Sequence, residues 1–125
     1  MWSTHSVKAL EKEFAEIIQT GESQFFLKYE NGIPVGFAQC QLRYDYVEGT
    51  HTSPVGYLEG IFVKEGHRSR GYGKELLAAC EAWAKEQGCT EFASDCELDN
   101  VQSLKFHLNV GFEEANRIIC FTKKL

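Results

Sequence analysis

The residues Gly56 to Leu77, GYLEGIFVKEGHRSRGYGKELL, pass from an apolar run through a basic, glycine-bearing turn into a helical pattern, and this junction constrains the fold most. Tyr57, Leu58, Ile61, Phe62 and Val63 supply the β-branched and aromatic side chains of a strand covered on both faces. Arg68-Ser69-Arg70-Gly71-Tyr72-Gly73 breaks the run. From Lys74 the apolar residues Leu76, Leu77, Cys80, Trp83 and Ala84 fall on one face of a helix that Gly88 should terminate. Strand, glycine turn and helix N-terminus in succession make an anion site. The first helical N–H groups lack intrahelical acceptors and sit at the positive end of the dipole, and glycine lets a phosphate approach the backbone. The P-loop pattern G-x-x-x-x-G-K-[ST] does not fit, since counting back from Gly73-Lys74 puts Arg68 at the first glycine and Glu75 at the hydroxyl position. G-x-G-x-x-G is absent from the turn as well.

At 125 residues, 43% hydrophobic and 13% aromatic, residues 1–125 are read as one domain with one core. No apolar run approaches the ~20 residues of a membrane span, and the N-terminus shows neither a basic nor an apolar leader region, so a cytoplasmic location is expected. The formal charge is −5, yet basic residues cluster in Arg68–Lys74 and at Lys123-Lys124. That balance argues against nucleic acid and permits a cationic ligand. Cys40, Cys80, Cys89, Cys96 and Cys120 contain no C-x-x-C pair and no His-flanked zinc spacing, so no metal site is expected and they read as reduced thiols, most of them small core residues. Cys96 follows Asp95, but no neighbouring residue in the sequence would activate it as a nucleophile.

Along the chain, Val7, Leu10, Phe14, Ile17 and Ile18 predict an amphipathic helix over Ser6–Gln19. Phe25–Tyr29 and Val35–Leu42 flank Asn31-Gly32 and predict an antiparallel hairpin, with Ile33-Pro34 lengthening its loop. Arg43–Pro54 is polar and reads as a loop or ragged strand ends between the hairpin and the central strand. Beyond the central strand and its helix, Glu91–Asp95 predicts a short strand. Asn100 or Asp99 caps a helix that ends at Gly111, and Arg117–Lys123 alternates into a final strand. The order α-β-β-β-α-β-α-β indicates an α/β fold with one mixed sheet and helices on its faces.

Arg68–Gly73 spells R-x-x-G-x-G. Asn100, Ser103, His107, Gly111 and Phe112 spell N-x-x-S-x-x-x-H-x-x-x-G-F. Together, in this order, they resemble the two signatures of the Gcn5-related N-acetyltransferase (GNAT) family, with His107 where the second usually has tyrosine. The wider pattern resembles the aminoglycoside 6'-N-acetyltransferase branch. It runs through Trp2-Ser3-Thr4-His5, Arg43-Tyr44-Asp45-Tyr46-Val47, Ser53-Pro54, Leu58–Val63, Ala93-Ser94-Asp95 and Gly111-Phe112-Glu113-Glu114. Against the family, the chain lacks the usual first strand and first helix. That would leave a sheet edge open to pairing with another chain, and a homodimer is expected.

The resemblance implies acetyl-CoA as co-substrate. Backbone N–H groups of Arg68, Ser69, Arg70, Gly71, Tyr72, Gly73 and Lys74 would hold the diphosphate. Ile61, Phe62 and Val63 would pair with the pantetheine arm, and Asn100 and Ser103 would contact the cofactor. Glu59 and Asp95 are the candidate bases for the amine, and His107 is the candidate acid for the thiolate. Trp2, His5, Tyr46, Glu59 and Asp95 would line the pocket of a polycationic sugar, with Asn116 where the branch can carry another acid. Glu59 also reads as an outward strand residue, Asp95 as a turn former, and His107 as a residue packing on the cofactor. The expected activity is acetyl transfer to the 6'-amine of an aminoglycoside. The alternatives are transfer to another small amine or peptide amine, or acyl-CoA binding without turnover.

Overall fold

A computed structural model describes residues 23–125, in two compact units divided between Asp95 and Cys96. The helix expected over Ser6–Gln19 lies outside the described residues. In the first unit, β1 (Ser23–Glu30) and β2 (Ile33–Arg43) form an antiparallel hairpin. Its turn is only Asn31-Gly32, at φ 53° and 77°, as a two-residue hairpin of matching twist requires. The sequence-based expectation of a longer loop is therefore corrected. Ile33 and Pro34 pair with Glu30 and Tyr29, and the irregularity is displaced into the ladder, where the register shift between Lys28 and Tyr29 leaves Val35 as the extra residue. The Val35 carbonyl accepts a hydrogen bond from the Lys64 N–H at 2.7 Å.

β3 (Val55–Val63) pairs antiparallel with β2 and parallel with β4 (Phe92–Ser94), which gives a mixed sheet in the order β1-β2-β3-β4. Helix α1 (Tyr72–Glu86) packs on β1, β2 and β3 through Leu76, Leu77, Cys80 and Ala84. Close approach is possible because residue 56 is glycine: a Cβ there would stand 2.7 Å from the Ala84 Cβ and 2.6 Å from the Phe92 ring. On the opposite face, Phe25 and Phe37 pack with Leu27 and Phe62, and Val47, Val55 and Tyr57 pack with Ala93. Cys40, Cys80 and Cys89 are buried as small core residues, whereas Cys96 and Cys120 are exposed, and none is in a disulfide. A hydrogen bond with Cys40, and then burial, push the Cys80 thiol far up, so it is inert.

The β2–β3 ladder changes phase once. Gln39 faces Gly60 but Cys40 faces Leu58, so Glu59 is a bulged residue. Residues opposite each other in a ladder share a face. Gly56 and Leu58 therefore lie on the helix-covered face with Leu42 and Cys40, while beyond the bulge it is Ile61 and Val63 that do so, with Ala38 and Gly36.

The second unit contains α2 (Val101–Asn109). Asn100 Oδ1 caps it by accepting from the Ser103 N–H at 3.0 Å. Gly111, at φ 98°, closes it as expected. The final strand predicted over Arg117–Lys123 is not formed. Residues 113–125 are exposed and make no ladder with any described strand, and Ile118, Ile119 and Phe121 are 73%, 80% and 90% exposed. Two alternating apolar residues set a pleat, but a strand exists only where a neighbour takes up its backbone groups. No helix among the described residues is long and apolar enough to cross a membrane.

Candidate active site

The turn between β3 and α1 is held in an unusual backbone state. Ser69 and Gly71 both have positive φ, 64° and 80°, and Gly71 is the N-cap of α1 with no side chain to satisfy the helix. The first intrahelical bond runs from the Glu75 N–H to the Gly71 carbonyl at 3.0 Å, so the N–H groups of Tyr72, Gly73 and Lys74 precede the helical ladder. Space above Gly71 is open, since a Cβ there would meet nothing within 4 Å. Donors, open space and the positive dipole end together suit a diphosphate. Arg68 is directed back to the strand: its Nε donates to the Val63 carbonyl at 2.8 Å and its guanidinium lies 5.8 Å from the centre of the Phe62 ring. Arg70 is engaged by Glu30, which also takes hydrogen bonds from His67 and Tyr72.

β4 follows β3 only from Gly56 to Leu58, and β3 runs on alone past its end. Ile61, Phe62 and Val63 pair with Ala38, Phe37 and Gly36 on the β2 side. No described strand flanks them on the other side, and an extended chain could add there by backbone pairing.

Glu59 and Asp95 are joined through two residues that sequence reading did not single out as site residues. Arg43, at the end of β2, grips the Glu59 carboxylate with Nη2 at 2.9 and 3.0 Å and Nε at 3.1 Å. The same guanidinium stacks over Tyr57, 3.5 Å from the ring centre, and the Tyr57 hydroxyl donates to Asp95 Oδ2 at 2.5 Å. Burial first, and then the bond to Asp95, push the Tyr57 phenol up to about 12, so it remains a neutral donor. One face of the sheet thus carries a chain from carboxylate through guanidinium and phenol to carboxylate. The signal for Arg43 lay in the register: opposite Val55, its long side chain reaches diagonally to Tyr57 and the bulged Glu59. Tyr46 is 76% exposed in the loop that follows β2. That loop is pinned by the Glu91 carboxylate, which accepts from the His51 N–H at 2.8 Å and from the Thr52 hydroxyl.

In the second unit, the His107 ring packs edge-on against Phe106 at 5.8 Å and tilted against Phe112 at 5.0 Å. Its Nδ1 is 2.7 Å from the Ser103 carbonyl oxygen, an acceptor only, so Nδ1 carries the hydrogen. A neutral His107 then has a bare Nε2, and donation from that atom requires the imidazolium. Asn116 accepts through Oδ1 from the Arg117 N–H at 2.8 Å, and Arg117 pairs with Glu114. Trp2 and His5 lie outside the described residues.

The profile of the acetyltransferase (GNAT) family matches residues 1–112. The chain belongs to the GNAT family. Among curated GNAT relatives, the aminoglycoside N(6')-acetyltransferase type 1 of Salmonella typhimurium (strain LT2) is 40% identical over 124 residues, 99% of this chain and 86% of that protein. The enzyme of the same description from Acinetobacter haemolyticus is 38% identical over 125 residues, 100% of this chain and 86% of that protein. Among solved structures, AAC(6')-Iy in complex with a bisubstrate analogue, CoA-S-monomethyl-acetylneamine, superposes with a TM-score of 0.87 at 40% identity, covering 99% of this chain and 84% of that one. The mixed sheet, the β3–α1 turn and the α2 motif of this chain are thus elements of a GNAT fold.

Proposed function

We propose that this protein, a single N-acetyltransferase domain over residues 1–125, transfers the acetyl group of acetyl-CoA to the 6'-amine of an aminoglycoside by direct attack in a ternary complex. The observation that carries the reading is the acid pair of Glu59, on the strand that leads into the glycine turn, and Asp95, just past β4, bridged by Arg43 and Tyr57. Similarity to N(6')-acetyltransferases over nearly the whole chain supports the substrate class, and the CoA–neamine conjugate bound by AAC(6')-Iy supports the pairing of substrates.

The backbone of Arg68, Ser69, Arg70, Gly71, Tyr72, Gly73 and Lys74 holds the diphosphate. The edge of Ile61, Phe62 and Val63 receives the pantetheine arm, with Asn100 and Ser103 as further cofactor contacts. Glu59 and Asp95 attract the ammonium and take its proton, directly or through water. The amine nitrogen then bonds to the acetyl carbon while the carbon–sulfur bond breaks. A β3 N–H stabilises the oxygen's developing charge, and a proton from the His107 imidazolium reaches the thiolate. The products are the N-acetylated amine and CoA thiol. Trp2, His5, Tyr46 and Asn116 complete the sugar contacts.

We place the protein in the cytoplasm as a homodimer. The apolar residues exposed between Arg117 and Leu125 are what a second copy would cover.

A thiol-release assay with acetyl-CoA and a panel of amines tests the reaction. Kanamycin or tobramycin should turn over, and a congener with hydroxyl in place of the 6'-amine should not. Turnover of spermidine but of neither antibiotic would reassign the substrate, and no turnover with any amine would reject the enzyme.

A further inference from the structure

The Glu30 carboxylate closes β1 immediately before the hairpin turn, far in sequence from the β3–α1 turn, yet it is the point on which that turn converges. Glu30 Oε2 accepts from His67 Nδ1 at 3.0 Å and from the Tyr72 hydroxyl at 2.8 Å, and Oε1 accepts from Arg70 Nη1 at 2.6 Å. These three donors bracket Ser69 and Gly71, the two residues at positive φ. For Ser69 that conformation is intrinsically unfavourable, and it persists only where the surroundings over-determine it. The backbone bond from Lys64 to Val35 and the pair of Lys28 with Glu75 at 2.9 Å stitch the same hairpin to the two ends of the turn. The Lys28 ammonium also stands 4.9 Å from the centre of the Tyr72 ring.

We propose that Glu30 is a positioning residue for the acetyl donor: by fixing His67, Arg70 and Tyr72 it holds the backbone of the turn in the diphosphate-binding shape. It also consumes the Arg70 guanidinium, so the donor is gripped by backbone N–H groups aligned in advance rather than by that side-chain charge. The hydrogen bonds from His67 and Tyr72, and then Arg70, hold the Glu30 carboxyl down at about 2, which matches a carboxylate that stays ionised at working pH.

Charge alone makes the opposite prediction, because a carboxylate beside a diphosphate site repels the ligand and its removal should tighten binding. The sign of the effect therefore decides. The proposal rests on the reading that CoA binds at this turn, and a binding measurement separates the two. Affinities of wild type, Glu30→Gln and Tyr72→Phe are measured for CoA and for pantetheine, which lacks the diphosphate, by calorimetry or, for the weaker ligand, by displacement. Glu30→Gln should weaken CoA about tenfold, in line with loss of hydrogen bonds to a charged group, with pantetheine unchanged. Its kcat at saturating acetyl-CoA should stay within about twofold, because the reacting groups are untouched. Tyr72→Phe, which removes one of the bonds, should weaken CoA about threefold with the same selectivity, and it carries the test if Glu30→Gln does not fold. CoA affinity unchanged or improved, or both ligands weakened alike, overturns the proposal. Wild type that binds CoA but acetylates no amine rejects the enzymatic reading and leaves the binding comparison decisive. Wild type that does not bind CoA overturns both.

Discussion

Tyr57 is the residue on which the acid pair depends, because it offers its ring to Arg43 and its hydroxyl to Asp95. Its phenol rests at about 12 against an ordinary 10.0, so folding favours the protonated form. The stabilisation is complete below pH 10.0 and is lost as pH rises towards 12. Spectrophotometric titration should show a late tyrosine ionisation near pH 12, and Tyr57→Phe should remove that step while costing about 1 kcal/mol at neutral pH. A Tyr57→Phe titration curve that keeps the late step would assign it to another tyrosine. At this scale the sequence disclosed end points but not connections. Glu59 and Asp95 could be named from their motif context, whereas Arg43, Tyr57 and Glu30 acquire meaning only when strands distant in sequence lie side by side. His107 was legible as a position, and its tautomer became so only with the Ser103 carbonyl in place.

Elements were legible where periodicity and punctuation agreed. The central strand, the glycine turn and α1 follow from an apolar run, two glycines and one helical stripe, and Asn100 and Gly111 marked both ends of α2. The hairpin turn was misjudged because Pro34 reads as a strand breaker, yet the strand takes it by bulging at Val35. The final strand expected over Arg117–Lys123 does not form, because alternation records a preferred pleat and carries no information about a neighbour. Gly56 shows how tightly the elements are fitted. With the Ala84 Cβ and the Phe92 ring closer than any real Cβ tolerates, Gly56→Ala must push α1 or β4 outward. Overpacking of this kind should cost about 2 kcal/mol and lower Tm by about 10 °C. An unchanged calorimetric Tm would mean that helix and sheet are free to slide.

For the whole molecule, the exposed Ile118, Ile119 and Phe121 raise the question of assembly. A chain of 14.2 kDa should sediment at about twice that mass, and replacing Ile119 and Phe121 with serine should shift it towards monomer without loss of thermal stability per chain. Monomer at micromolar concentration in the wild type would reject the dimer. Composition and charge allowed a cation-binding protein and argued against nucleic acid, but surface apolar residues near the end of a chain do not announce what covers them.

The bulge at Glu59 has a consequence for how such a protein can vary. Because one additional residue shifts the alternation, pleating Leu58 to Ile61 regularly at its present length would send Phe62 to the helix side and Ile61 to the opposite side, whereas deleting one position there would leave a regular ladder with both layers in place. The bulge, rather than chain length alone, therefore lets the strand hold an acid outside the regular ladder while the edge beyond it keeps its facing.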